Sequence, residues 1–136
     1  MTGPHTRRMV EVSIAEALWL LESVVQGRLF YFQRESAVVR PAVHVLHYGR
    51  LIVRAPAQEA ALAERVALTY QADEIRAGGT GWTVTVTGPA EVVADPDERA
   101  HYRRTLPGWA HGPHNTLIRI RPQAVTGFRL AHREAR

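Results

Sequence analysis

The chain has 136 residues, 46% of them hydrophobic and 22% charged, with a formal net charge of +4; this is the length and composition of one globular domain with room for a real core. There is no cysteine, which excludes disulfides and thiolate metal sites, and no apolar run of about 18 residues, which excludes a membrane-spanning helix. The 17 basic residues are all Arg and are scattered, which reads as GC-rich coding and argues against the basic patch of a nucleic-acid binder.

Residues 1–10 read as a loose basic arm, 11–131 as the folded domain and 132–136 as a polar tail. The arm lacks the apolar stretch of a secretory signal, so a cytoplasmic location is expected. Ser13 and Glu16 have the spacing of a capping box. Ile14, Ala17, Leu18, Leu21, Val24 and Val25 follow at helical spacing, and Gly27 is placed to end that helix. Arg28–Gln33 is a strand by its aromatic content. A polar turn leads to the strand Val38–Leu46, where Pro41 predicts an edge or a bulge. Alternation puts Arg40, Ala42 and His44 on one face and Val39, Pro41, Val43 and Val45 on the other.

After a tight turn at Tyr48-Gly49-Arg50 comes the strand Leu51–Ala55. Pro56–Arg65 follows as a short helix of Ala, Glu and Gln. Arg54 stands at this strand-to-helix junction. Free backbone N–H groups beside a fixed cation suit a phosphate; the other reading is a solvated surface Arg. Val66–Ile75 alternates with Val66, Leu68, Tyr70 and Ala72 on one face. Ala77–Gly81 is a turn, and Trp82, Val84 and Val86 alternate with Thr83, Thr85 and Thr87 in a strand. Gly88-Pro89 bends it before Ala90–Ala94 continues. Asp95 opens an acidic-headed helix running to about Leu106. Pro107–Pro113 is a loop that carries Trp109. Thr116–Arg121 is a strand, Pro122–Thr126 a turn and Gly127–Leu130 a last strand. The total is about seven strands and three helices, mainly β and mostly antiparallel, which predicts a small closed barrel.

No Walker loop, dinucleotide fingerprint or nucleophile elbow occurs. Seven histidines raise the question of metal or haem, but His44 and His47, three apart on a strand, point to opposite faces. No metal site is assigned. His44, His111 and Tyr48 are the candidate proton donors.

In order along the chain, these pieces resemble the small pyridoxamine 5′-phosphate oxidase-like, flavin-binding split-barrel proteins of the short actinobacterial type. Gly27-Arg-Leu-Phe-Tyr-Phe is similar to the family's Gly-Arg-Leu-Ala-Phe, and Pro41-Ala-Val-His44 to its Pro-Val-Asn-Tyr/His strand. Leu51-Ile-Val-Arg54-Ala55 is similar to Val-Val-Phe-Arg-Thr, and Gly81–Gly88 to Gly-Trp-Ser-Val-x-Val-x-Gly. Trp109 and Leu117–Gly127 match the closing segment. The resemblance implies a split β-barrel homodimer with FMN at the subunit interface, acting by hydride transfer on a small molecule. Related branches use a deazaflavin or haem. It places Pro41, Ala42, Val43 and His44 along the flavin ring and Arg54 and Ala55 at the phosphate. It brings Trp82, Thr83 and Trp109 in from a neighbouring strand or the partner.

The chain departs from that pattern where the phosphate is held. Family members carry Gly-Ser-Lys after the Arg-Thr pair, and Ser and Lys bind phosphate. Here the segment is Ala57-Gln58-Glu59-Ala60-Ala61, Ala55 replaces Thr, and Val43 replaces Asn. Each lost hydrogen bond is worth roughly 1–3 kcal/mol. Three readings follow: a flavin oxidoreductase, a non-catalytic binder of FMN, deazaflavin or haem, and a cofactor-free dimer.

Overall fold

The computed structural model of the chain describes residues 7–63, 67–108 and 115–132. Eight strands and three helices lie in these segments, in the order β1 (Arg7–Val12), α1 (Ile14–Glu22), β2 (Gln26–Gln33), β3 (Ser36–His47), β4 (Arg50–Ala55), α2 (Glu59–Ala63), β5 (Ala67–Ile75), β6 (Gly81–Val92), α3 (Pro96–Thr105), β7 (Thr116–Ile120) and β8 (Ala124–His132). The strand order is β1-β8-β6-β5-β2-β3-β4-β7, and a further β6–β7 pairing closes it. Six strands therefore form a closed antiparallel ring, and β8 and β1 extend from it along β6. This is the split barrel expected from the sequence.

Closure depends on β6 changing partners. Residues Gly81–Thr87 pair with β8, and Ala90–Val92 pair with β7. The switch falls at Gly88-Pro89, where the β7–β8 connection passes over the strand: Arg121 N–H donates to Pro89 O at 2.9 Å and Gln123 N–H to Thr87 O at 3.0 Å. A Cβ at Gly88 would lie 1.7 Å from Arg121 O, so only Gly admits this crossing. The bend anticipated at Gly88-Pro89 is this fork.

The barrel interior takes one alternating set from each strand: Leu29 and Tyr31, Ala42, Leu51 and Val53, Leu68 and Tyr70, Trp82, Val84 and Val86, Ile118 and Ile120, with α1 contributing Ala17, Leu20 and Leu21. A second apolar cluster, Val43, Ile52, Val93, Tyr102, Leu106 and Leu117, lies outside the barrel wall under α3. Leu51, Ile52 and Val53 are consequently all fully buried. That explains why β4 reads as a continuous apolar run and not as an alternating one. Asp95 caps α3 by accepting from Glu98 N–H at 2.9 Å. His47 Nδ1 and Tyr102 Oη, 2.8 Å apart, tie the helix to the β3–β4 hairpin.

Several boundaries differ from the sequence expectations. Arg7–Val12, inside the expected loose arm, is a strand on β8; nearly all its side chains are exposed, so it carries no apolar alternation to read. The helix α1 ends at Glu22 and not at Gly27, because Ser23 Oγ–H donates back to Leu20 O at 2.5 Å, and such local bonding competes with helix continuation. Gly27 lies within β2. Ser13 does cap α1, accepting from Glu16 N–H at 3.1 Å. The Glu16 carboxylate, however, pairs with Arg129 on β8 at 2.5 Å instead of closing the box. Within the described residues α2 is a single short turn of helix, and β8 begins in the expected turn. Pro41 is at an edge: β4 pairs only with Val43–His47, so Ser36–Ala42 has β2 as its one neighbour.

Two hairpins close through two-residue turns with both central φ positive: Arg34 and Glu35 at 51° and 68°, Tyr48 and Gly49 at 51° and 74°. Left-handed turns match the twist of the strands they join, but three of these four residues are not Gly. Replacing Arg34-Glu35 by Asn-Gly is expected to raise stability by about 1 kcal/mol, read as a higher thermal midpoint with an unchanged far-ultraviolet spectrum.

Candidate functional site

Strand alternation divides the residues that the sequence grouped together. Ala42, Ala55 and Trp82 face the interior and are buried. Val43 faces outward but lies beneath α3. Pro41 is exposed and Thr83 is half-buried on the outer surface, where Thr83 Oγ1 accepts from Gln71 Nε2 at 3.3 Å. Trp109 and His111 lie outside the described residues. Tyr48 sits 92% exposed at its hairpin tip.

His44, proposed from sequence as a flavin contact and proton donor, is 2% exposed inside the barrel. Its Nε2 lies 2.9 Å from Leu21 O, and its Nδ1 lies 2.5 Å from the Tyr70 hydroxyl. A carbonyl can only accept, so Nε2 carries the proton and Nδ1 accepts from Tyr70 O–H. Both ring nitrogens are used, and they join α1, β3 and β5. Burial pushes the His44 pKa down, against smaller upward effects of the Leu21 and Val24 carbonyls; burial likewise holds the Tyr70 phenol above its ordinary range. Gly27 makes room for that phenol, since a Cβ there would lie 2.4 Å from Tyr70 Oη. His44 is thus a buried neutral crosslink and not an available acid.

Arg54 also differs from expectation. It is paired directly with Val43 across β3–β4, so it points out under α3. Its Nη1 donates to Leu106 O at 2.6 Å and to Arg103 O at 3.3 Å, and Gly108 packs so closely that a Cβ would lie 2.6 Å from Nη2. A cation on the last carbonyls of a helix is favoured by the helix dipole. Arg54 therefore terminates α3, while its Nε is buried with no partner among the described residues. Nη1 of the guanidinium is committed to protein carbonyls, and the described part of α2 is a single turn. The Arg54 expected at a phosphate thus shares its guanidinium with the end of α3, and Ala55 faces the barrel interior.

The outer face of β2, β5 and β6 supplies a concavity that the sequence reading did not identify. A cleft of about 540 Å³ is lined by Phe30, Phe32, Ala37, Thr69, Gln71 and Thr85, among others. Cross-strand register continues its floor onto β3, with Val39 beside Phe30 and Pro41 beside Arg28. Phe32 is 68% exposed and Val39 42%. Polar groups are ordered by one another: Arg28 donates to Asp73 and to Gln71 Oε1 at 3.4 Å, and Thr69 Oγ1 and Thr87 Oγ1 are 2.9 Å apart. The available signal was that β2 is apolar on both faces, Leu29 and Tyr31 inward, Phe30 and Phe32 outward. Among the described residues no cluster of three His, Asp or Glu could hold a metal, and no helix is long and apolar enough to cross a membrane.

Two outcomes follow from the buried groups. Because the folded pKa of His44 lies below its unfolded value of about 6.5, its contribution to stability is present above that pH. It is lost as pH falls from about 6.5 toward the lower folded value. Denaturant melts between pH 7.5 and 5 are expected to show this acid-side loss, and His44→Gln, which keeps a donor and an acceptor without titrating, to flatten it. Arg54→Met is expected to lower stability by about 2 kcal/mol, with faster hydrogen exchange confined to the end of α3 as its signature.

The sequence pattern of the pyridoxamine 5′-phosphate oxidase family matches residues 13–129. An uncharacterized protein of Mycobacterium tuberculosis is 35% identical over 132 residues, covering 91% of this chain and 87% of that protein. Among solved structures, a Corynebacterium glutamicum protein described as a candidate pyridoxamine 5′-phosphate oxidase superposes with a TM-score of 0.75 at 26% identity, covering 93% of this chain and 100% of that one. A protein of Mycobacterium smegmatis described as FAD-binding superposes at 0.64 with 25% identity, covering 90% and 98%. With the ring of six strands and the β6 fork, these similarities establish that the chain belongs to the pyridoxamine 5′-phosphate oxidase family.

Proposed function

We propose that this protein is a cytoplasmic homodimer that binds a flavin, FMN, against the outer face of β2, β5 and β6 and serves as an oxidoreductase for a small molecule. The observation that carries this reading is the cleft of about 540 Å³ floored by Phe30 and bordered by Thr69, Gln71 and Thr85. Its size and its mostly apolar wall with a few fixed polar groups suit a planar cofactor. Family membership supports the same ligand class, as does the description of the Mycobacterium smegmatis relative as FAD-binding.

When bound, the flavin would supply hydride transfer at its N5 position. Phe30 and Val39 would pack against the ring, and Gln71 and Thr85 would offer hydrogen bonds to its polar edge. Arg28, anchored by Asp73, would hold Gln71 in place. A second copy laid over Phe32, Val39 and Pro41 would remove an apolar surface from water and exclude water from the ring. His44, with both ring nitrogens bonded within the protein, is not free to ligate a haem. With His44 locked, proton exchange falls to solvent.

A second reading, a cofactor-free dimer with an accessory role, is favoured by one observation: Arg54 already serves α3. Titration with FMN separates the two. The expected outcome is a two-band visible spectrum, quenched flavin fluorescence and oxidation of a reduced nicotinamide, with a solution mass of two 15.2 kDa chains. Thr85→Arg, which fills the cleft from an outward position, is expected to abolish flavin binding and leave the thermal midpoint within a few degrees. A colourless dimer that leaves FMN fluorescence unchanged would establish the second reading instead.

A further inference from the structure

The half of β3 that has no β4 neighbour leaves an opening in the barrel wall, and the chain leaving β4 runs past it. A second cleft, of about 430 Å³, lies there between Gln33 and Arg40 on one side and Pro56, Gln58 and Ala61 on the other, with Tyr31 at its back. Register explains the grouping. Arg40 is opposite the inward-facing Leu29, so it shares a face with Tyr31 and Gln33, but at this end of the barrel Arg40 and Gln33 are exposed. The far wall is fixed: Thr116 Oγ1–H donates to Ala57 O at 2.6 Å in a buried bond.

The electrostatics of this cleft are unlike those at Arg54. Among the described residues no carboxylate lines it. Among the described residues Arg40 takes part in no ion pair; its guanidinium makes one hydrogen bond, from Nη1 to the adjacent Val39 O at 3.1 Å. A guanidinium with open donors, beside side-chain amides on both walls, is suited to a phosphate oxygen pair. Tyr31 lines both this cleft and the larger apolar one; the two open on opposite faces of β2–β3, and the free edge of β3 before Val43 is the way round from one to the other.

We propose that Arg40, with Gln58 across the cleft, forms the phosphate subsite of this protein, in place of the Ser and Lys missing from the segment after β4 and of Arg54, which caps α3. The assignment rests on the flavin reading for its ligand, a phosphate monoester attached to a ring held in the neighbouring cleft. Its consequence is selectivity: the site prefers FMN to riboflavin, and Arg40 carries the preference.

The test compares FMN with riboflavin by fluorescence titration of the wild-type protein, Arg40→Gln and Arg54→Met, and adds orthophosphate alone by calorimetry. Arg40→Gln is expected to weaken FMN binding about 10- to 100-fold and leave riboflavin binding unchanged. Arg54→Met keeps the wild-type FMN-to-riboflavin ratio. If wild type and Arg40→Gln bind FMN equally, the phosphate sits elsewhere and the assignment falls while the flavin reading stands. If neither flavin binds, the flavin reading falls; orthophosphate binding lost in Arg40→Gln would then identify a site for free phosphate, and orthophosphate bound equally or not at all by the two proteins would overturn the subsite as well.

Discussion

Everything in this molecule depends on β6 serving three neighbours. It pairs along Gly81–Pro89 with β5, gives its first half to β8 and its last residues to β7. Without the change of partner the sheet would stay open at β7 and leave an unpaired edge along the core. With it, six strands close on one another, and backbone donors and acceptors that would otherwise meet water are paired within the ring. A side chain at Gly88 would collide with the β7–β8 connection, so closure rests on the absence of one methyl group. The helix α1 then fills the barrel end and is joined to it internally by the His44 bonds to Leu21 and Tyr70. That polar bridge is fully satisfied, which is the condition for polar groups to be tolerated at such depth.

Closure also sets where a ligand can go. The interior is filled by Leu29, Tyr70, Val84, Val86 and Ile118, so the barrel is a packed core and not a container. Binding is left to the outer wall and to the seam. On the β3–β4–β7 side α3 covers the wall with its own apolar cluster. On the β2–β5–β6 side no described element covers the wall, which carries exposed aromatic surface above ordered Thr, Gln, Arg and Asp side chains. The two clefts that face solvent near β2 share Tyr31, one apolar and one with a cation that takes part in no ion pair among the described residues.

The two arginines near the opening illustrate how context assigns a role to a charge. Arg54 is on a strand whose outer side is roofed by a helix, and the nearest groups able to accept from it are the terminal carbonyls of that helix. Arg40 is on a half-strand with a free edge, and what faces it are amides and small residues. Both are Arg beside an apolar strand in the sequence, and neither spacing nor composition separates a helix cap from an anion site.

Much of the fold was legible in the sequence because the physics there is local. Alternation in Trp82–Thr87 and Leu68–Ala72, the caps at Ser13 and Asp95, the turn at Tyr48-Gly49 and the bend at Gly88-Pro89 are all determined by residues within a few positions of one another, and all occur as read. The opposite orientations of His44 and His47 follow from the same period-two rule. What was missed has a long-range cause. The strand β1 is held by backbone pairing to β8 and needs no apolar pattern. Burial of Leu51, Ile52 and Val53 on both sides comes from α3, which is far away in sequence. The residues read as one cradle along Pro41–Ala55 divide between two faces because alternate residues of one strand face opposite sides, and only tertiary packing shows which side is filled. The sequence by itself determined the elements, their caps and their turns, since these rest on neighbouring residues. Tertiary structure alone decided that His44 is a crosslink, that Arg54 terminates a helix and that Arg40 faces an open cleft, since a side chain's role is set by what distant parts of the chain place beside it.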